Sequence, residues 1–202
     1  GSGDCPNRAV PAESLRRRLE TVLKDADLLA FLKSEVSGEL KFHHEFRVSL
    51  AECPNACSQP QIKDIGIIGA QLPKITENAC TRCEKCVETC KEGAVVLNST
   101  AGGPEIDFSK CVRCGQCIRA CPTQTIDAGK TGYRVLLGGK LGRHPKLAEE
   151  LPAIYSEVQV LDIVKRCIAW YKATSRNGER FSELLARDQS LISEIIQEIK
   201  GA

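Results

Sequence analysis

The chain has 202 residues, 42% of them hydrophobic, which is enough to bury a core and suits one domain with a sizeable insert or two small domains. Its 28 basic and 26 acidic residues leave a net charge of +2 with no long block of either sign, which argues against a nucleic-acid partner. No stretch approaches the roughly twenty apolar residues of a membrane span, and Gly1-Ser2-Gly3-Asp4 lacks the features of a signal peptide, so a soluble chain of the reducing cytoplasm is expected. Methionine is absent, so Gly1 is not expected to be an unprocessed translation start.

Residues 11 to 33 predict one amphipathic helix, with Leu15, Leu19, Val22, Leu23, Ala26, Leu29 and Leu32 at spacings of three and four and Pro11 near its first turn. Alternation through Phe42, His44, Phe46, Val48 and Leu50 predicts a half-buried strand, which would turn His43 and His44 to opposite faces. The apolar run Ile65-Gly66-Ile67-Ile68-Gly69 predicts a second strand. From Thr76 to Asp127 the chain turns to short loops rich in Cys, Gly and Thr, with too few large side chains for a hydrocarbon core. Within it, Asn98-Ser99-Thr100 reads as a turn.

Tyr133-Arg134-Val135-Leu136-Leu137 predicts a strand ending at Gly138-Gly139. The loosely basic stretch Arg134, Lys140, Arg143, His144 and Lys146 reads chiefly as a solvated loop. A helix over about 155–174 would face inward with Val158, Leu161, Val164, Ile168 and Tyr171, and Cys167 on that face reads as a small core residue. A last helix carries Leu191, Ile192, Ile195, Ile196 and Ile199, with Asp188 or Ser190 as its cap. The order α-β-β-insert-β-α-α predicts an α+β domain interrupted by a Cys-rich unit.

Eight of the twelve cysteines fall in that unit. Cys80, Cys83, Cys86 and Cys90 form C-x2-C-x2-C-x3-C, and Cys111, Cys114, Cys117 and Cys121 repeat it at an offset of 31 residues. Three closely spaced thiolates can wrap one corner of an iron–sulfur cube while the fourth comes from the other half. That rule assigns Cys80, Cys83, Cys86 and Cys121 to one [4Fe–4S] cluster and Cys111, Cys114, Cys117 and Cys90 to a second. Zinc sites use a longer gap between two C-x2-C pairs, and a disulfide framework needs an oxidising compartment, so both are weaker readings. The unit resembles the two-cluster bacterial ferredoxins: Val95-Val96 matches Ile126, and Cys121-Pro122 keeps the proline that Lys91 replaces in the first half.

The flanking segments carry a second resemblance. Ala51-Glu52-Cys53-Pro54-Asn55-Ala56-Cys57, Asp64-Ile65-Gly66-Ile67-Ile68-Gly69, Asp4-Cys5-Pro6-Asn7-Arg8-Ala9 and Gly138-Gly139-Lys140-Leu141-Gly142 are similar to segments of the sirohaem sulfite and nitrite reductases, with Glu52 where that family commonly has glycine. An inserted ferredoxin module is a feature of the dissimilatory and anaerobic-type members. The resemblance implies a reductase-like 4Fe-4S scaffold over 1–73 and 131–202 and a two-cluster ferredoxin domain over 74–130. It further implies Cys5, Cys53 and Cys57 as three thiolates of a third [4Fe–4S] cluster, with Cys57 bridging to sirohaem. The implied function is electron relay through the two ferredoxin-type clusters toward that site, with a redox partner protein or another reductase subunit supplying the substrate-binding half. The rival readings are a sirohaem-free electron carrier or docking subunit, and a protein that senses iron or oxygen through labile clusters.

Overall fold

The computed structural model describes residues 5–98 and 102–201, with the backbone alone for 199–201. Ser99 and Thr100 of the expected turn, Asp4, and the side chain of Ile199 lie outside the described residues. The architecture is α+β. A four-stranded sheet runs in the order β1 (Val48–Ala51), β2 (Ile65–Ile75), β5 (Ile126–Leu137), β6 (Glu149–Glu150), and a separate pair joins β3 (Val95–Leu97) to β4 (Pro104–Ile106). β1 lies parallel to β2, and β5 runs antiparallel to both β2 and β6.

β2 is a central strand, and its first six residues are buried, as expected where both faces are covered. Its glycines make room for the chain that crosses it. A Cβ at Gly66 would stand 2.3 Å from the Pro60 carbonyl oxygen, and one at Gly69 would stand 2.4 Å from that of Glu52. Both strands of the central pair are longer than their apolar runs predict: the ladder extends from Ile65 opposite Leu137 to Ile75 opposite Ile126. It shifts register only between Leu72 and Pro73, where proline brings no N–H to the ladder. Scaffold and Cys-rich unit therefore share one ribbon, which passes through residues 73–74 and 130–131 without ending.

The single helix expected over 11–33 is two: α1 (Glu13–Asp25) and α2 (Leu28–Glu35). Asp27 between them is left-handed at φ 42° and caps α2 by accepting from the Ala30 N–H at 3.3 Å. Leu15, Leu19 and Leu32 are buried, whereas Leu29 faces solvent. The strand expected from Phe42 shrinks to β1, because Phe42–His44 form a 3-10 turn in which His44 Nδ1 accepts from the Lys41 N–H.

α5 (Glu157–Thr174) begins at a reciprocal cap, with the Gln159 N–H donating to Ser156 Oγ and the Ser156 N–H donating to Gln159 Oε1. It buries Leu161, Val164, Cys167, Ile168 and Tyr171 against the core. Val158 points outward instead, because residues 160, 161, 163 and 164 form the stripe that meets the core and 158 falls on the opposite side. α6 (Phe181–Arg187) was not evident from periodicity, and α7 (Ser190–Gly201) closes the fold, with Asp188 accepting from the Ser190 N–H. Phe46, Tyr171 and Phe181 meet at ring-centroid separations of 5.0 to 6.2 Å and pin the segment entering β1 to α5 and α6.

Within the Cys-rich unit, α3 (Lys85–Thr89) and α4 (Gln116–Ala120) occupy equivalent places in the two halves. The backbone repeats with the sequence: φ is positive at Arg82 and Arg113, at Glu84 and Gly115, and at Gly93 and Gln124. The buried cluster here is small, comprising Cys86, Val95, Cys117 and Ile126.

Candidate functional site

Each half carries its first three cysteines on a loop with two left-handed residues and the short helix that follows, and its fourth cysteine caps the end of that helix. Cys86, at the start of α3, is buried and lies within electrostatic reach of Cys80 and Cys121. Its thiol is pushed up, chiefly by burial. Cys83 is exposed in the same loop, and Cys80 Sγ accepts from the Arg82 N–H at 3.3 Å. Cys121 behaves oppositely to Cys86. Burial works against its thiolate, yet the Ile126 N–H at 3.4 Å and the Thr123 hydroxyl at 3.7 Å outweigh it and hold the thiol below its ordinary value.

The second group is more enclosed. Cys117 is buried and within reach of Cys111, Cys114 and Cys90, and burial first, then these neighbours, pushes its thiol up to about 12. Burial raises Cys111 as well, against the Arg113 N–H. Cys90, Cys111, Cys114 and Cys117 line one small cavity together with Pro73, Ala94 and Val95. Binding of a metal by these cysteines would release their protons, since only the thiolate is a ligand. The donor set is all sulfur, which suits iron–sulfur chemistry, where each thiolate binds a different iron.

Cys5, Cys53 and Cys57 gather at the C-terminal end of β1, around a cavity that Glu52 and Ser58 also line. Burial raises the Cys53 thiol, and Cys5, Cys57 and Glu52 add to the shift. Glu52 organises this corner. Its carbonyl accepts from the N–H groups of Ala9 and Val10, its Oε1 accepts from the Ala12 N–H at 3.0 Å, and its buried Oε2 has no hydrogen-bond partner among the described residues. A cleft lined by Asn7, Cys53 and Asn55 on one side and by Cys90, Lys91, Cys114 and Gln116 on the other separates this group from the second four-cysteine group.

The docking of the Cys-rich unit rests on residues that spacing did not single out. The Gln71 N–H of β2 donates to the Arg113 carbonyl at 2.8 Å, and Gln71 Oε1 accepts from Arg119 at 3.1 Å. Gly115 permits this approach, since a Cβ there would lie 2.1 Å from Gln71 Oε1. Glu150 accepts from Arg113 at 2.9 Å and from Arg134 through both its oxygens. Burial opposes the Glu150 charge, but the two guanidiniums prevail and hold its carboxyl below the usual range. No local motif announces Glu150 or Gln71, whereas Thr123 and Thr125 stand in the Cys121-Pro122-Thr123-Gln124-Thr125 run.

The lesser sequence features fall away from this site. His43 and His44 meet edge to face at 4.2 Å on the 3-10 turn, Arg134 and Lys140 are paired with Glu150 and Glu183, and Cys167 is fully buried in the core. Among the described residues no three Cys, His, Asp or Glu side chains converge as on a single metal ion, and no helix is long and apolar enough to cross a membrane.

The sequence profile of the family described as the nitrite and sulphite reductase 4Fe-4S domain matches residues 3–188. The coenzyme F420-dependent sulfite reductase of Methanocaldococcus jannaschii is 36% identical over 143 residues, which make up 71% of this chain and 20% of that protein. A subunit of the anaerobic sulfite reductase of Salmonella typhimurium is 33% identical over 52 residues, 26% of this chain and 15% of that protein. The chain thus spans a fifth or less of the length of these curated relatives. The crystal structure of dissimilatory sulfite reductase I shares the fold, with a TM-score of 0.62 and 18% identity, covering 98% of this chain and 50% of that one.

Proposed function

Because the chain belongs to the nitrite and sulphite reductase 4Fe-4S domain family, and so to the iron–sulfur proteins, we propose that it is the electron-relaying part of a sulfite- or nitrite-reducing oxidoreductase. In this reading residues 74–130 form a two-cluster ferredoxin domain. Cys80, Cys83, Cys86 and Cys121 hold one [4Fe–4S] cluster, and Cys111, Cys114, Cys117 and Cys90 hold the other. Cys5, Cys53 and Cys57 supply three thiolates to a third, and Cys57 would be the one that bridges to sirohaem. When bound, such clusters supply reversible one-electron exchange, and a sirohaem iron supplies the site where sulfite or nitrite binds.

The observation that carries the reading is the shared cleft, with Cys53 on the scaffold side and Cys90 and Cys114 on the insert side. It gives the relay a direction. The group containing Cys90 and Cys114 is the inner station, and the group with exposed Cys83 is the outer one, open to a redox partner protein. The chain's own residues hold these stations at a fixed separation through Gln71, Arg119 and the Arg113–Glu150–Arg134 contacts. Substrate-binding groups are assigned to another subunit or segment, in keeping with the fraction of the relatives that this chain spans.

A sirohaem-free carrier is the second reading, and Glu52 favours it, since its carboxyl group, one oxygen of which is buried without a partner among the described residues, stands beside Cys53. Anaerobic iron and acid-labile sulfide analysis, with the optical spectrum of the same sample, tests both. About eight irons per chain without sirohaem absorption supports the carrier, and about twelve with it supports the reductase, at four irons per cluster. Fewer than about four irons after anaerobic reconstitution overturns both.

A further inference from the structure

The two halves of the Cys-rich unit repeat in spacing and backbone but differ in what faces the fourth cysteine of each. Cys121 Sγ lies 3.4 Å from the Ile126 nitrogen and 3.7 Å from Thr123 Oγ1. Thr123 Oγ1 lies 2.8 Å from Thr125 Oγ1, and the buried Thr125 hydroxyl donates to the Ala79 carbonyl at 3.2 Å. At the offset of 31 residues, Cys90 stands for Cys121, Glu92 for Thr123 and Ala94 for Thr125. Cys90 Sγ accepts from the Ala94 N–H at 3.4 Å, and no hydroxyl stands at either matching position.

We propose that Thr123 is a redox-positioning residue, whose hydroxyl turns between Thr125 and the Cys121 sulfur as the Cys80/Cys83/Cys86/Cys121 site changes oxidation state, raising that site's reduction potential. The proposal rests on the reading that the two four-cysteine groups bind clusters. A hydroxyl has one hydrogen, and that of Thr125 is directed at the Ala79 carbonyl, so the 2.8 Å contact is donated by Thr123. An iron-bound sulfur has no proton to offer, which leaves the Thr123 hydrogen with two acceptors, Thr125 Oγ1 and Cys121 Sγ. Entry of one electron from an external reductant adds one negative charge to the site and makes the sulfur the better acceptor. A donor that binds the reduced form more strongly than the oxidised form raises the potential. The exposure of Cys83 acts with the same sign, since water also stabilises the added charge. The inner site, with Ala94 and Glu92 at the matching positions, has no such hydroxyl device.

The test is a potentiometric titration of the reconstituted full chain followed by electron paramagnetic resonance, for wild type, Thr123→Val, Thr123→Ser and Thr125→Ala. With both four-cysteine sites loaded, the valine variant should move one midpoint to a more negative value and leave every other in place. The serine variant should keep the wild-type midpoints. Removing the competing acceptor in Thr125→Ala, a residue the matching half already uses, should move the same midpoint the opposite way. No moved midpoint in the valine variant with iron content retained, or a serine variant shifted as far as the valine one, overturns the assignment of Thr123 alone. If the valine variant loses iron, the alanine variant decides: a positive shift supports the proposal, and no shift or a negative one overturns it. A wild-type chain that shows no reducible cluster signals defeats the underlying reading instead, and the proposal with it.

Discussion

Arg113, in the loop between the first two cysteines of the second group, donates to Glu150 Oε1 at 2.9 Å, joining the insert to the edge strand of the scaffold. Arg134 shares the same carboxylate, and its side chain is only 19% exposed. Glu150→Ala leaves both guanidiniums uncompensated, and the loss of partly buried charge-assisted hydrogen bonds should cost about 1–3 kcal/mol. Urea unfolding of the variant gives the magnitude, and faster amide exchange over residues 111–121 should accompany it. Unchanged exchange there would show that the contact does not hold the insert.

Cys83→Ala and Cys114→Ala each remove one thiolate from a different group. Each variant should retain about four fewer irons than wild type, because binding of the metal stands in for the hydrocarbon core that the insert lacks. Either variant with wild-type iron content and spectrum contradicts the ligand assignment for its group.

Gly69→Ala tests the close approach of Glu52, just after β1, to β2. The new Cβ would lie 2.4 Å from the Glu52 carbonyl, a backbone atom that also receives the Ala9 and Val10 N–H groups. The segment from β1 to Cys53 has to shift, which should destabilise the protein by about 1–3 kcal/mol, measured by thermal unfolding. The disturbance should fall on the Cys5/Cys53/Cys57 corner and spare the two four-cysteine groups.

Asp64 provides a pH prediction. Burial pushes its carboxyl from 3.8 to about 6, against the Arg47 N–H at 2.8 Å and the charges of Arg180 and Arg47. A raised folded-state value means that folding favours the protonated form. This contribution to stability is fully present below about pH 4 and is lost as the pH rises to about 6, by up to about 3 kcal/mol at 1.36 kcal/mol per unit. Asp64→Asn keeps an acceptor for Arg47 and cannot ionise. Its unfolding free energy measured between pH 4 and 7 should lack the decline that wild type shows; parallel curves for the two proteins contradict the assignment.

What the sequence disclosed depended on whether the signal was local. The repeat of Cys80–Cys90 at Cys111–Cys121 is written in spacing, and the structure matches it in backbone, with positive φ at paired positions. The buried run of β2 and the inner stripe of α5 were legible for the same reason. The break at Asp27 was not, because apolar periodicity carries on through a residue whose left-handed turn leaves no mark on it. β5 outruns its predicted length because Gly129, Lys130, Thr131 and Gly132 show no alternation, and only pairing with β2 makes them strand. Glu150 and Gln71 act across long stretches of chain, and no short pattern could single them out.

The ribbon of β2 and β5 has a consequence for how the molecule folds. Ile75 and Ile126 are about fifty residues apart in the chain yet pair at its tip, and Ile65 and Leu137 are farther apart still. Closing such a loop in an open chain is entropically slow, and long-range pairing of this kind limits folding rates. When thiolates from both halves of the loop are gathered on shared clusters, much of that closure is already achieved, and the Thr76 N–H bond to the Thr125 carbonyl is set to start the zipper. Cluster assembly should therefore act as the folding nucleus of the scaffold sheet, so that a cell short of iron or sulfide would accumulate chains whose sheet pairs late and whose strand edges stay open to aggregation.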